Sequence, residues 1–271
     1  MSTSPSISVI MSVKNGASYL ERSITSILNQ TFRDFEFIIC NDGSTDQTQI
    51  VLERFQSQDT RIVLLKNDTS MGLACSLDRC IEKAQSNILA RQDADDRSAL
   101  DRFEKQYPFV VDHPEFAIVG TCWYNEKADG SISQYMVPEC PTARSQVFRG
   151  QYMHPTWMMR KDQIGLVDYY TANQYTLRDQ DYHLVMKVLA KGMKIYNMQE
   201  PLYYYFVDEN QRNRQLQWNK VKGLMWIRWD SYRRNNMPLW AYLFVLKPLL
   251  THIAPKKWMI KYYDRNKKAK D

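Results

Sequence analysis

"FEFIICNDGSTDQT", Phe35 to Thr48, holds a strand, a turn and a helix entry in one stretch. The first six residues are apolar apart from Glu36 and have the length of a strand. Asn41 to Gly43 turn the chain, and Ser44 or Thr45 can cap a helix that carries Ile50, Val51, Leu52 and Phe55. The same unit recurs on both sides. Upstream, "ISVIMSV" (7–13) leads through "KNG" to Leu20, Ile24, Ile27 and Leu28 at helical spacing. Downstream, "RIVLLK" (61–66) leads through "NDTSMG" to Leu73, Leu77, Cys80 and Ile81. A fourth run, "NILARQ" (87–92), leads into "DADD", with a helix expected from about Arg97. Strands alternating with single helices indicate an α/β fold with a mostly parallel sheet flanked by helices. Ligands of such sheets bind beyond the carboxyl ends of the strands, so "KNG", "NDGSTD" and "DADD" are expected to converge.

Past residue 115 the pattern changes. "FAIVGTCWYNEKADGSISQYMVP" reads as two strands joined at "ADGS", and "HPTWMMRK" as a strand or loop. A helix follows over "DQDYHLVMKVLAKG", ending at Gly192, and then come "MKIYNM" and "PLYYYF". From about Asn213 the chain reads as helical, basic and aromatic. The expected organisation is one domain over 1–210, with a nucleotide-binding half (1–97) and an acceptor half (98–210), and a helical extension over 211–271.

The chain of 271 residues can bury a core without disulfides. Its five cysteines, Cys40, Cys75, Cys80, Cys122 and Cys140, show no zinc-like spacing and read as buried thiols of a reducing compartment. No basic region precedes the first apolar run, so a cytoplasmic location is expected. "MPLWAYLFVLKPLL", Met237 to Leu250, is broken by Lys247 and Pro248 and falls short of the roughly 20 residues of a spanning helix. The net charge of +6 is uneven: Lys256, Lys257, Lys261, Arg265, Lys267, Lys268 and Lys270 crowd the end. This tail suits a helix in a bilayer interface, on the inner face of the cell membrane, and equally a helix covering the core with a solvated basic face. No nucleic-acid motif accompanies the charge.

Each motif has a structural reading and a chemical one. "NDGSTD" is complete as a turn and cap, but capping does not need Asp42, which could accept hydrogen bonds from a base or ribose. "SVKNG" lacks the glycine fingerprints of dinucleotide and phosphate loops, which argues against hydride transfer and P-loop chemistry. Gly72 could mark a plain turn or a close approach to a ligand. Asp93, Asp95 and Asp96 exceed what a cap requires. Two carboxylates about 4 Å apart repel by about 4 kcal/mol at an effective dielectric near 20. A hard divalent cation removes that repulsion and bridges to phosphate oxygens.

The order "SVIMSVKNGASYLERSITSILNQTFRDFEFIICNDGSTDQT", then "NDTSMGLACSLDRCIEKAQSNILARQDADD", resembles the family-2 glycosyltransferases of the GT-A fold, from about Ile7 to Tyr205. That resemblance implies a nucleotide-sugar donor, Mn2+ or Mg2+, and inversion at the anomeric carbon. Matched by position, Val13 and Asn15 would contact the nucleotide, Asp42 the base or ribose, and Gly72 the donor pocket. Arg91 joins the donor-binding set. Asp93 and Asp95 would form the DxD element, with Asp95 on the metal and Asp93 and His154 as further metal candidates. Asp96 would complete the cluster or cap the next helix. "RDQDYHL" (178–184) resembles the late acidic element that carries the base, here Asp181 with Asp179 in reserve, Gln180 replacing the usual glutamate. Its other reading is a pair of ordinary acids at a helix N-terminus. "MHPTWMMRK" (153–161) resembles an element between the donor and acceptor sites, with His154, Trp157 and Arg178 on the acceptor side.

The implied activity is transfer of a hexose or N-acetylhexosamine, from a UDP-sugar, to a saccharide on a lipid-diphosphate carrier in surface-polysaccharide synthesis. A nucleotidyltransferase that makes nucleotide sugars, or a non-catalytic glycan-binding or membrane-scaffold protein, would share the fold.

Overall fold

The computed structural model describes residues 4–148, 150–176, 178–207 and 217–253. Alternation along the first strand sets up its layers. In β1 (Ile7–Val13), the side chains of Ile7, Val9, Met11 and Val13 enter one core and Ile10 enters the other. β2 (Phe35–Asp42) repeats this, with Phe37 and Ile39 on one face and Ile38 and Cys40 on the other. Covered on both faces, these strands read as nearly continuous apolar runs.

Between them lies α1 (Leu20–Leu28), and α2 (Thr48–Gln58), β3 (Ile62–Asn67), α3 (Leu73–Lys83) and β4 (Ile88–Arg91) follow. The second half holds β5 (Arg97–Ser98), α4 (Arg102–Asp112), β6 (Phe116–Lys127), β7 (Ile132–Tyr135), β8 (Met158–Arg160), α5 (Lys161–Gly165), α6 (Gln180–Ala190) and β9 (Lys194–Val207). Last come α7 (Trp218–Arg234), a 3₁₀ segment (Leu239–Leu246) and α8 (Lys247–Ile253).

Among the described residues nine strands form one sheet in the order β3-β2-β1-β4-β8-β6-β9-β5, with β7 paired to β6. β1 runs parallel to both β2 and β4. The chain therefore steps outward from β1 to β3 and then returns to the other edge of β1. Open α/β sheets bind ligands at such a switch point, beyond the carboxyl ends of the strands. Asn15, after β1, and Asp93 to Asp96, after β4, flank it.

Four expectations change. No helix starts at Arg97: Arg97 and Ser98 pair with Tyr204 and Tyr203 of β9, and the helix begins at Arg102. "MKIYNM" and "PLYYYF" are one strand, because a bulge against Thr121 and Cys122 absorbs Pro201. Ile50 points to solvent, 66% exposed, while Leu52 and Phe55 carry the buried face of α2. Cys140, in an irregular loop, is exposed, whereas Cys40, Cys80 and Cys122 are buried and Cys75 partly so.

The described part of the C-terminal extension is bound to the domain. Ile227 and Tyr232 of α7, with Met237 and Ala241, pack against Val147 and against Tyr182 and Met186 of α6. The buried pair His183–Asp230, 2.9 Å apart, joins α6 to α7. The basic cluster from Lys256 to Lys270 lies outside the described residues. No helix among the described residues is long and apolar enough to cross a membrane.

Candidate active site

The loops after β1, β2 and β3 are wired to one another. Val13 is buried at the end of β1, in register with Asn41. Asn15 adopts φ 52, a left-handed conformation that asparagine tolerates. Its amide nitrogen donates to Ser44 Oγ at 3.0 Å, and its Oδ1 accepts from Thr45 N at 2.9 Å. Gly43 has φ 62, and a Cβ there would lie 2.6 Å from Ser70 N, so this close crossing of two loops requires glycine.

Asp42 was expected to face a base or ribose. Its Oδ1 accepts from Asn67 Nδ2 and Met71 N, both at 2.7 Å, and its Oδ2 from Ser70 Oγ at 2.7 Å and Gly72 N at 3.0 Å. A carboxylate offers about four lone-pair sites, and all are taken. Burial pushes the Asp42 pKa up, but the bonds from Asn67, Ser70 and Met71 outweigh it and hold the group below its usual range. Asp42 thus shapes the loop that ends at Gly72, and no acceptor position remains for a ligand in this conformation. Gly72 itself, at φ 88 and ψ 162, is exposed, with nothing within 4 Å of where a Cβ would stand.

The three clustered aspartates have three different surroundings. Arg91 is fully buried, and its guanidinium donates to Gln92 O and pairs with Asp93 Oδ1. It therefore acts on Asp93, and its own side chain is not exposed. Ser23 Oγ donates to Asp93 O at 2.6 Å, Asp93 N to the Tyr203 hydroxyl at 3.1 Å, and Arg22 to Asp95 O at 3.0 Å. Asp96 is buried and caps no helix. Its Oδ1 accepts from Phe206 N at 2.7 Å, and the Tyr203 side chain lies close enough to act on the same carboxyl. Burial, then the charges of Asp93 and Asp95, push its pKa up.

Asp95 differs from both. It is half-buried. Burial and the Asp93 charge raise its pKa. A carboxylate held in this way, beside a second one, fits a hard divalent cation. Among the described residues no group of three or more acidic, histidine or cysteine side chains gathers to hold a metal. Asp93 and Asp95 would thus supply part of a shell of about six oxygens, leaving the rest to a diphosphate and water.

His154 is not placed with these carboxylates as a ligand. It is 7% exposed, its Nε2 is hydrogen-bonded to the Tyr170 hydroxyl at 2.5 Å, and burial followed by the Arg91 charge lowers its pKa. Trp157 is 1% exposed, with its ring against Tyr152 and His154, so it cannot stack on a sugar. Both residues border β8, which is inserted between β4 and β6 in the sheet interior.

The late acidic element opens α6. Asp179 is its N-cap residue, at φ 54, and Asp181 lies in its first turn. Burial, followed by the neighbouring Asp179, raises Asp181 to about 7, while backbone N–H groups of Tyr182 and Asp181 pull the other way. Asp93 adds to the rise, which places the two acidic elements within electrostatic reach of each other. Asp179 is exposed as a residue, yet desolvation of its carboxyl also raises its pKa, against the charges of Arg228 and Arg178. Arg178 is exposed beside it. Arg228 comes from α7 and donates to Val147 O at 3.3 Å and to the Tyr232 hydroxyl at 2.9 Å.

Arg102, Tyr203 and Arg228 did not stand out in the sequence. Arg102, wholly buried, bonds the carbonyls of Arg91 and Trp157 at 3.0 and 3.3 Å, and burial lowers it to about 10. Each meets the site through contacts distant in sequence, and no local pattern signals them.

The architecture is that of solved glycosyltransferases. Staphylococcus aureus TarS bound to UDP-GlcNAc superposes with a TM-score of 0.69 at 17% identity, over 91% of this chain and 71% of that one. The Bacillus subtilis putative glycosyltransferase EpsE is 31% identical over 266 residues, 98% of this chain and 95% of EpsE. The Escherichia coli O-antigen biosynthesis glycosyltransferase WbnJ is 31% identical over 204 residues, 73% of this chain and 78% of WbnJ. Residues 8–180 match the pattern of Glycosyl transferase family 2. With the switch-point loops, the Asp93–Asp95 pair and Asp181 in one neighbourhood, the chain belongs to glycosyl transferase family 2 and is an enzyme of the GT-A fold.

Proposed function

We propose that this enzyme moves a hexose or N-acetylhexosamine from a UDP-sugar to a hydroxyl of a saccharide acceptor, with inversion, in the synthesis of a surface polysaccharide. The observation that carries the reading is Asp181: a half-buried carboxylate raised to about 7, close enough to Asp93 to sense its charge. A base with that pKa can take the proton of the attacking hydroxyl near neutral pH. Asp179 is then the neighbour that raises it, and the reserve base. Asp93 and Asp95 would hold Mn2+ or Mg2+ with the donor diphosphate; when bound, the cation offsets charge developing on the leaving group. Val13, Asn15 and Gly72 line the donor side, and Arg178 stands at the acceptor side. UDP as carrier is supported by TarS, solved with UDP-GlcNAc, and the polysaccharide setting by WbnJ. A lipid-diphosphate-linked glycan is the proposed acceptor.

The test is turnover of UDP-, GDP- and dTDP-sugars with purified enzyme, manganese or magnesium, and short saccharide or lipid-diphosphate acceptors. Transfer from a UDP-sugar that EDTA abolishes, giving the inverted anomer by NMR, is expected. Turnover of GDP- or dTDP-sugars alone would overturn the donor assignment, and a retained anomer would overturn the chemistry.

A further inference from the structure

The helical segments after α7 have two apolar faces. Inward, Met237 and Ala241 join the core against Ile227 and Tyr232, and Pro248 is buried. Outward, Leu239, Leu243, Leu246, Leu250 and Ile253 are 89, 70, 45, 64 and 66% exposed. Along this ridge, Leu243 and Leu246 eclipse one another in the 3₁₀ segment, and Leu250 and Ile253 lie about one turn apart in α8. An exposed apolar surface of this extent marks an interaction site.

Aromatic rings sit at both ends of the ridge. Trp240 is stacked on Phe148, 5.9 Å between centroids, and both are exposed. Trp218 packs on His252 of α8 at 4.5 Å and is also exposed. Tryptophan in such positions suits the boundary between water and lipid.

Charge identifies the occupant. From Trp218 to Ile253 the chain carries Lys220, Lys222, Arg228, Arg233, Arg234 and Lys247 against a single acid, Asp230. That acid is buried and already paired with His183 and Arg234. The sequence beyond adds Lys256, Lys257, Lys261, Arg265, Lys267, Lys268 and Lys270 against Asp264 and Asp271. A second copy docking ridge to ridge would set positive charge against positive charge. Anionic lipid headgroups complement it, while the leucines enter the acyl boundary.

We infer that the ridge from Leu239 to Ile253 docks the enzyme on an anionic bilayer surface, lying in the interface without crossing it. Because α7 and the ridge pack on α6, whose first turn holds Asp181, the acceptor side and the docked face belong to one body. The proposed lipid-linked acceptor would then be met at the surface where its anchor lies. That last step rests on the proposed function; docking itself does not.

Flotation of the full chain with phosphatidylcholine vesicles, with and without phosphatidylglycerol, tests it. Binding to the phosphatidylglycerol vesicles, weakened by salt and accompanied by a blue shift of tryptophan fluorescence, is expected. Leu243→Glu with Leu250→Glu should cut partitioning by about tenfold or more and leave transfer to a short soluble acceptor unchanged. Absence of binding in the wild type, or undiminished binding in the double variant, overturns the inference. So does light scattering that finds a lipid-free dimer which the same substitutions dissolve, or loss of binding to vesicles caused by an acidic protein partner on the ridge. Vesicle binding without sugar transfer would instead defeat the proposed function and leave docking standing.

Discussion

Asp93 and Asp181 lie within electrostatic reach of each other, yet the chain treats the two carboxylates in opposite ways. After β4, Asp93 is paired with a buried arginine, its carbonyl is held by Ser23 and its amide by Tyr203. At the start of α6, Asp181 has burial and a second acid around it, and its pKa climbs to about 7. One setting fixes a carboxylate in position, as the proposed clamp on a cation and diphosphate needs. The other keeps a proton exchangeable near neutral pH, as a base needs. The first carboxylate is fixed by its hydrogen-bond partners, and the second is pushed up by burial and a neighbouring acid.

The strongest way to break this contrast is Asp181→Asn. It should lower kcat by about 10²- to 10⁴-fold with little change in donor KM or melting temperature, as steady-state kinetics and thermal denaturation would show. Activity near wild type would move the base to Asp179. Arg91→Met attacks the other side. Removing the buried cation, which leaves the Gln92 carbonyl and a partly exposed Asp93 without their partner, should cost about 1–3 kcal/mol of stability in urea denaturation, whereas a simple ligand-binding arginine would cost little. Asp42→Asn comes next, at about 1–3 kcal/mol, because an amide nitrogen would face the Ser70 hydroxyl or the Gly72 N–H.

The smallest effect is also the most diagnostic. Asp181 must be ionised to act, so kcat/KM should rise with pH through about 7 and level off above it. Asp179→Asn removes the like charge that helps raise Asp181, so the acidic limb should move to lower pH. A limb that stays in place would detach Asp179 from the base.

Much of the stretch from β1 to β4 was readable because its determinants are local. Alternation in "ISVIMSV" and "FEFIIC", helical spacing after each turn, and the position of "DADD" after a fourth strand required no knowledge of distant residues. Asp181 was readable as an acid in the first turn of a helix, and the family resemblance gave it a role. What escaped was set by pairing across the sheet. Trp157 looks like a sugar platform beside a histidine, but β8 lies between β4 and β6, so its ring is enclosed. Asp96 looks like a helix cap, but Arg97 and Ser98 are captured by β9 and the next helix starts later. Asp42 looks free at a strand end, and only the fold brings Asn67 and Ser70 onto it.

The bonds from Asp93 N to Tyr203 and from Phe206 N to Asp96 each span 110 positions. This gives the aspartate turn a place in time as well as in space. Its four residues leave the ribosome early, with the strand that precedes them, but the groups that hold them are made only near the end of β9. Closing so long a loop carries an entropic cost that must be met before these contacts can form. The turn from Asp93 to Asp96 therefore cannot complete these contacts until β9 has been synthesised.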